Sequence, residues 1–329
     1  MTFTPTSQSL LLVLASVVLA FPNSAKSQSY PTHPITLVVP FTVGGPTDSI
    51  ARIMADRMTK ALGQTVVVEN TTGAGGSIGV GRVVRAAPDG YTLSIGHIGT
   101  HVLNGAIYTL PYDLLKDLEP IAMIAENPQI IVSRNGVPAK DLNELIAWVK
   151  ANQDRVSIAS GGAGTPAHVS GVFFQKLIGA KVVVAHYRGA APAMQDVIAG
   201  HADISFDQAA SALPLVRGGQ VRAYAVTSKA RLSAAPEIAT VDEAGLPGFY
   251  MAVWHGLWAP RGTPKSIVER INFAVVEALA DPVARKRLSD LGQELPAREQ
   301  QTAEALRAHQ KAEIDKWWPI VKEAGVKLD

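Results

Sequence analysis

Residues 35–62 read ITLVVPFTVGGPTDSIARIMADRMTKAL, and this stretch decides the fold. Its first five residues are dominated by Ile, Leu and Val, which predicts a strand that is buried on both faces, as in a parallel α/β sheet. After a short loop, the apolar residues Ile50, Ile53, Met54 and Met58 recur at helical spacing, so one face of the predicted helix packs against the core. The order strand, loop, helix is typical of α/β folds.

The loop of this unit, residues 40–48, has the composition of an anion site. Gly44 and Gly45 let the backbone turn sharply and approach a ligand closely. Pro46 suits the first turn of a helix, and Thr47 or Asp48 can cap it. Because a helix N-terminus carries a positive partial charge, we expect the loop to bind a small organic carboxylate without reacting with it. Asp48 is better explained as a cap than as a general base, since no second carboxylate is evident for acid–base chemistry.

Length and composition exclude several classes of protein. The 329 residues suffice for two domains. The 30 Lys and Arg residues nearly balance the 28 Asp and Glu residues, which argues against a nucleic-acid partner. The chain has no cysteine, which removes disulfides, thiolate nucleophiles and cysteine metal sites. We expect no cofactor and no metal.

The N-terminal segment has the pattern of a secretory signal peptide. The apolar run from Leu10 to Phe21 is too short to span a bilayer, and small residues follow it at 24–27. We predict a signal peptide at residues 1–27 with cleavage after Ser27, and Ala25 is the alternative cleavage position. No later segment has the run of about 20 apolar residues that a transmembrane helix requires. We therefore expect an exported, soluble protein.

Strand and helix patterns alternate along the chain, so the sequence predicts an α/β fold with mostly parallel sheets. The alternation restarts near residue 156, and extended segments near residues 130 and 250 join two halves. We predict two lobes, of which residues 28–132 together with 253–329 form the first and residues 133–252 form the second. Small ligands usually bind where lobes meet.

Four strand-to-helix junctions are rich in glycine: Gly44-Gly45, residues 73–76, residues 161–164 and Gly189. In α/β sheets such junctions lie at the carboxyl edge, where ligands bind. A tight turn without a ligand would explain any single one of them. Because the four divide equally between the predicted lobes, we favour a ligand site that both lobes share.

One of these junctions matches the spacing of the nucleophile elbow of serine hydrolases, Gly75-Gly-Ser77-Ile-Gly79. The elbow needs its serine directly after a strand, whereas Ser77 lies several residues beyond the predicted strand end at Glu69. Ser77 is better explained as a helix cap or as a hydroxyl donor to an anion. A secreted esterase that uses Ser77 is the alternative from another functional class.

Two cofactor signals are weak. Residues 162–167, GAGTPA, fit the dinucleotide fingerprint, but residues 186–188, HYR, stand where an acid should follow the next strand, and an exported protein meets little NAD. His97 and His101 have the spacing of zinc ligands on a helix. The neighbouring Gly96, Gly99 and Thr100 make a helix unfavourable there, and no carboxylate is near in sequence.

Several polar residues near strand ends are candidates for ligand contacts. His97 can donate to a ligand from the end of its strand, although a surface histidine would have the same pattern. Arg188 can pair with a ligand carboxylate, or equally with Asp196 or Asp203 as part of the structure.

Other candidates lie at a helix start and in aromatic segments. Thr165 and His168 fall in the first turn of a predicted helix, where both can hydrogen-bond an anion. Phe206, Trp254 and His255 are either core residues or ring contacts for a ligand. Trp254 has the best claim to a cleft position, because it lies in the second segment between the lobes.

Short motifs along nearly the whole mature chain resemble those of one family. They are PITLVVPF at residues 34–41, GGPTD at 44–48, VENTTGAGG at 68–76, APDGYTL at 87–93, VPAK at 137–140, GTPAH at 164–168, YRG at 187–189, SALP at 211–214, AVTS at 225–228 and APRGTP at 259–264. In order and spacing they resemble the periplasmic substrate-binding receptors of tripartite tricarboxylate transporters, also called the Bug family.

The resemblance implies a two-lobed type II periplasmic binding protein fold that closes over its ligand by a hinge motion. It also implies an organic carboxylate ligand, held at the first two glycine loops and delivered to the membrane subunits of a transporter. We expect a monomeric, periplasmic receptor without enzymatic activity. The candidate ligand-binding residues are Phe41, Thr42, Val43, Gly44, Gly45, Thr47, Asp48, Gly75, Gly76, Ser77, His97, Gly164, Thr165, His168, Tyr187, Arg188, Phe206, Asp207, Trp254 and His255.

Two segments depart from the family pattern, at Thr42-Val43 and at residues 248–255, and they bear on the distal half of the ligand. Aromatic faces pack well against ring ligands. The residues that would surround a flat ring are Phe41, His97, Phe206, Trp254 and His255. The favoured ligand is therefore an aromatic dicarboxylate such as terephthalate, and an aliphatic di- or tricarboxylate is the alternative.

Overall fold

The computed structural model describes residues 30–323, 325 and 326. The predicted signal peptide, residues 1–27, lies outside the described residues. In the described part of the chain, no helix is long and apolar enough to cross a membrane.

The strands of the described residues form one mixed sheet. They are β1 (Ile35–Val39), β2 (Val66–Asn70), β3 (Thr92–His97), β4 (Leu118–Arg134), β5 (Ser157–Ser160), β6 (Val183–His186), β7 (Ile204–Gln208), β8 (Val221–Val226) and β9 (Ala252–Pro260). Their order across the sheet is β2-β1-β3-β9-β4-β7-β5-β6, and β8 also pairs with β4.

Helices alternate with these strands. They are α1 (Pro46–Leu62), α2 (Ser77–Val84), α3 (Asn104–Ile107), α4 (Leu142–Ala151), α5 (Pro166–Ile178), α6 (Ala190–Ala199), α7 (Ala209–Arg217), α8 (Lys265–Ala280), α9 (Pro282–Asp290) and α10 (Ala303–Glu323). As predicted, Ile50, Ile53, Met54 and Met58 of α1 are buried. They join the core cluster that covers the first strands.

Strand β4 passes through both lobes. Its first part, residues 118–128, pairs with β9, and its second part, residues 129–134, pairs with β7 and β8. The first lobe is therefore built on β1, β2, β3, β9 and the start of β4, and the second on the end of β4 with β5 to β8. The residue bounds that we gave for the lobes stay a prediction.

The predicted α/β class is confirmed, but the sheet is mixed. The β1–β2, β1–β3, β5–β6 and β5–β7 pairs are parallel, as the strand and helix alternation predicts. Every pair that includes β4 or β9 is antiparallel. The reason is that β4 continues from the first lobe into the second and β9 returns the chain from the second lobe to the first, so neither strand belongs to a strand–helix–strand repeat.

Two local expectations were wrong. The chain after β3 is helical, since a π-helical turn at Gly99–Leu103 leads directly into α3. A glycine suits position 99 because the ring of His97 occupies the space that a side chain at this position would fill. The N-cap of α1 is Gly45, and not Thr47 or Asp48. Asp48 instead reaches back from the first turn to accept a hydrogen bond from the Gly44 N–H at 2.9 Å.

Candidate ligand-binding cleft

A cavity lies between the two lobes, with about 410 Å³ of empty space that includes its opening to solvent. The residues that line it are Phe41, Gly45, Pro46, Thr47, His97, Gln129, Gly161, Thr165, Pro166, Ala167, Ala190, Phe206, Asp207 and Gln208. None of these lining residues is Lys or Arg, and the only formally charged side chain among them is that of Asp207.

Four helix N-termini face this cavity. The first lobe contributes the start of α1 at Gly45 and Thr47, and the second lobe contributes the starts of α5 at Thr165, of α6 at Ala190 and of α7 at Gln208. The first N–H groups of a helix have no partner within the helix, and the helix dipole adds positive partial charge there. The cavity therefore offers an anion several backbone donors without any mobile cationic side chain.

Flat rings form part of the wall. Phe41 and His97 stack with their centroids 4.8 Å apart and their planes 15° from parallel. Phe206 also lines the cavity, although most of its ring packs in the second lobe against Phe174 and Phe249. Phe206 is fully buried, so the apolar surface next to the backbone donors comes from Phe41 and His97.

The protonation state of His97 is fixed by its surroundings. Its Nδ1 accepts a hydrogen bond from the Gly99 N–H at 2.9 Å, so the hydrogen of the neutral ring is on Nε2. Burial lowers the pKa of His97 to about 3. His97 is thus a neutral side chain with one N–H to donate.

A second histidine supports this arrangement from behind. His255 lies opposite His97 in the β3–β9 pair, and the two rings meet edge to face at 5.5 Å. Its Nε2 lies 3.3 Å from Thr47 Oγ1, and its Nδ1 has no hydrogen-bond partner. Burial lowers the pKa of His255 well below its usual range, so this ring is neutral too.

The second lobe places a carboxyl group at the cavity. Asp207, at the end of β7, accepts hydrogen bonds from the Gln208 N–H at 2.8 Å and from Ser211 Oγ. Burial raises the pKa of Asp207 to about 6, against the lowering effect of these two hydrogen bonds. Next to it, the side-chain amide oxygen of Gln208 is buried and has no partner.

The glycine loops of the two lobes touch each other. The hydroxyl of Tyr108 in the first lobe donates to the carbonyl oxygen of Ala163 in the second at 2.7 Å. A side-chain carbon at Gly75 would lie 2.5 Å from the same carbonyl oxygen. Likewise, a side chain at Gly189 would collide with Thr42. The described structure is therefore the closed form of a two-lobed molecule.

The candidates from the sequence fall into three groups. Seven of them line the cavity: Phe41, Gly45, Thr47, His97, Thr165, Phe206 and Asp207. Others lie just outside the lining, in the loops and side chains that support it: Thr42, Gly44, Asp48, Gly75, Gly76, Ser77, Gly164, His168 and His255. The remaining candidates are not among the lining residues and stay predictions: Val43, Tyr187, Arg188 and Trp254.

Each residue of the third group has a simple structural account. Val43 is 63% exposed. The hydroxyl of Tyr187 donates to Asp196 at 2.7 Å. Arg188 is exposed, and neither of the structural partners considered for it is used, because Asp196 binds Tyr187 and Asp203 binds Arg134. Trp254 is buried against Trp258, with its indole N–H directed at Glu313 in α10 at 3.3 Å.

The supporting residues argue against the catalytic alternatives. Ser77 Oγ accepts a hydrogen bond from Asn104 at 3.0 Å, and among the described residues none of its hydrogen bonds involves a histidine. Burial alone would raise the pKa of Asp48, but hydrogen bonds from Arg52, Gly44 and Asn70 hold it below its usual value. No group of three potential metal ligands exists in the described chain.

Seven lining residues are not among the candidates from the sequence: Pro46, Gln129, Gly161, Pro166, Ala167, Ala190 and Gln208. Gly161 and Ala190 lie in glycine junctions that were identified, so the signal was present but was not extended to them. Gln129 and Gln208 face each other across the β4–β7 pair although 79 positions separate them. Only the pairing of these strands brings the two amides to the cavity.

Comparison with known proteins agrees with this architecture. The sequence pattern of the tripartite tricarboxylate transporter family receptors, TctC, matches residues 50–326. The periplasmic binding protein BugD has 39% sequence identity, a TM-score of 0.88, and covers 91% of this chain and 100% of its own.

Two solved relatives contain ligands. MatC from Rhodopseudomonas palustris, with bound malate, is 39% identical with a TM-score of 0.86, over 89% of this chain and 100% of its own. An R. palustris protein solved with adipate is 32% identical with a TM-score of 0.87, over 91% of this chain and 100% of its own. The two-lobed periplasmic binding protein fold is thereby confirmed, and the chain belongs to the TctC, or Bug, family of solute-binding receptors.

Proposed function

We propose that this protein is a periplasmic receptor that captures a small organic carboxylate between its lobes and delivers it to the membrane subunits of a tripartite tricarboxylate transporter. The observation that carries the proposal is the convergence of the N-termini of α1, α5 and α6 on one cavity whose lining contains no Lys or Arg. The start of α7 also lines the cavity, but its first N–H is taken by the carboxylate of Asp207. Such a site stabilises a negative charge with fixed backbone dipoles. A receptor must release its ligand, and dipoles that separate when the lobes open are suited to release.

The favoured ligand is an aromatic dicarboxylate such as terephthalate. The support for this choice is the stacked pair of Phe41 and His97, both of which line the cavity. Aromatic side chains at the wall of a cavity pack well against a planar ligand. The carboxylate of such a ligand would meet the helix starts at Thr47 and Thr165.

An aliphatic dicarboxylate is the second candidate. The observation in its favour is that two relatives of the same family were solved with malate and with adipate. A flexible chain would fill the same apolar region without needing ring contacts.

A thermal-shift screen followed by calorimetry tests the proposal. The ligands are benzoate, terephthalate, malate and adipate, each added to the mature protein. A ligand at 100 times its Kd should stabilise the folded protein by about 2.7 kcal/mol. If no carboxylate in a broad panel binds, the receptor proposal is wrong. Binding of the aliphatic acids alone would eliminate only the aromatic preference.

The esterase alternative is tested separately through Ser77. Ser77 is 8% exposed, and its hydroxyl accepts a hydrogen bond from Asn104. We expect no turnover of activated esters by the wild-type protein and the same result for Ser77→Ala. Turnover that disappears in Ser77→Ala would support the hydrolase instead.

A further inference from the structure

We infer that the cavity end formed by Asp207 and Gln208 selects ligands that carry a hydrogen-bond donor opposite the anchored carboxylate. The donor is a hydroxyl, an amine or amide N–H, or a carboxyl group that keeps its proton. This inference rests on the proposed function, since it describes the second half of the same ligand site.

The carboxyl group of Asp207 has unused acceptor capacity. Its residue is 4% exposed and lines the cavity. One oxygen accepts from the Gln208 N–H and the other from Ser211 Oγ. A carboxylate has about four acceptor positions. No salt bridge among the described residues involves Asp207, so its charge is not compensated by a cation.

The neighbouring amide adds to this surplus of acceptors. Gln208 is 7% exposed and lines the cavity, and its side-chain oxygen has no hydrogen-bond partner. Leaving such a group unpaired is unfavourable, so a ligand that supplies a donor is favoured.

The other amide of this end is held in place by the protein. Gln129 donates from Nε2 to the Phe206 carbonyl oxygen at 3.1 Å, and its Oε1 accepts from Ser170 Oγ. These two hydrogen bonds fix the orientation of the Gln129 amide, and neither involves the side chain of Asp207 or of Gln208. The unpaired acceptors of those two residues remain available to the ligand.

A second ionised carboxylate is a poor match for this end. Two carboxylates that share a site repel each other, and one of them must hold a proton for both to stay. A dicarboxylic ligand would thus bind here with one proton shared between it and Asp207. A hydroxy, amino or amide group meets the same acceptors without that requirement.

Calorimetry with matched ligand pairs tests the inference near neutral pH. The pairs are malate with succinate and 4-hydroxybenzoate with benzoate, which differ only in a hydroxyl group. At least one of the two pairs should bind the wild-type protein. Within that pair, we expect the ligand with the hydroxyl group to bind at least about 10-fold more tightly than the ligand without it. Asp207→Asn keeps the side-chain shape but introduces an N–H donor. We expect it to reduce the difference to roughly threefold or less and to improve the binding of the diacid succinate.

Ser211→Ala is the matched control. This substitution removes the hydrogen bond from Ser211 Oγ to Asp207 but leaves the Asp207 carboxylate itself in place. The preference for the ligand that carries a hydrogen-bond donor should therefore persist. Equal affinities within both pairs in the wild-type protein would overturn the inference and leave the receptor proposal standing. If no carboxylate binds the wild-type protein, both fail. Should Asp207→Asn not fold, the wild-type pairs still decide the question.

Discussion

The hydroxyl of Tyr108 lies 2.7 Å from the carbonyl oxygen of Ala163 and joins the first lobe to the second. The bond can exist only while the lobes are together. We expect Tyr108→Phe to favour the open form and to weaken ligand binding by about 2- to 10-fold, the range for one neutral hydrogen bond. Calorimetry measures the effect. Tyr112→Phe is the control, because the hydroxyl of Tyr112 donates to the backbone carbonyl oxygen of Ser77 and both residues lie in the first lobe. Equal losses in the two variants would show that the inter-lobe bond has no special role.

A methyl group at Gly75 should hold the lobes apart. Gly75 has φ +59°, and a side-chain carbon there would lie 2.5 Å from the Ala163 carbonyl oxygen. We expect Gly75→Ala to increase the radius of gyration in solution scattering with ligand present and to lower affinity about 10-fold or more. Gly63→Ala separates closure from backbone strain, since Gly63 has φ +72° but no atom within 4 Å of the added carbon. Both variants should lose about 1 kcal/mol of stability, and only the first should lose closure.

The buried histidines make the fold sensitive to acid. Burial lowers the pKa of His97 to about 3 from its ordinary value of 6.5. Between these values the unfolded chain binds a proton at His97 and the folded protein does not. In this range, the contribution of His97 to the free energy of unfolding therefore falls by about 1 kcal/mol for each unit by which the pH is lowered. His101 and His255 shift in the same direction.

Asp207 has the opposite sign. Because its pKa is raised to about 6 from 3.8, the folded protein takes up a proton there before the unfolded chain does. This stabilises the fold as the pH drops from 6 to 3.8, but one carboxyl does not offset several histidines. Urea titrations across this pH range should show His97→Gln with a flatter profile than the wild type. If the stability of the wild-type protein did not depend on pH in this range, the buried histidines would not make the fold sensitive to acid.

Two aromatic substitutions distinguish wall from core. Phe41→Leu should weaken binding of a ring ligand by about 2- to 10-fold, the value of one aromatic contact. Trp254→Phe should lower the melting temperature, because it removes core volume and the hydrogen bond to Glu313. It should leave affinity unchanged within roughly twofold. A larger loss of affinity in Trp254→Phe than in Phe41→Leu would return Trp254 to the ligand site.

Trp254 also shows why sequence reasoning reached only part of the site. The α1 unit was predictable because its loop and helix follow local rules of composition and spacing. In β9 nearly every side chain is buried, so alternation does not reveal which face each residue occupies. His255 is aligned with His97 at the cavity, and Trp254, one position earlier, points to the opposite side of the sheet.

The pairing of Gln129 with Gln208 was hidden for a related reason. Their contact depends on the register of β4 with β7, which tertiary packing sets. The antiparallel course of β4 and β9 was likewise not encoded in the local alternation of strands and helices.

The position of β9 has a consequence for biosynthesis. β9 fills the place between β3 and β4, yet residues 252–260 leave the ribosome long after both of those strands. All strands of the second lobe lie within residues 129–226, so their sheet is complete before the first lobe can close its own. A nascent chain that stops before residue 252 would leave the edges of β3 and β4 unpaired, and such edges are prone to aggregation. We therefore expect the lobe that begins the chain to be the last to fold.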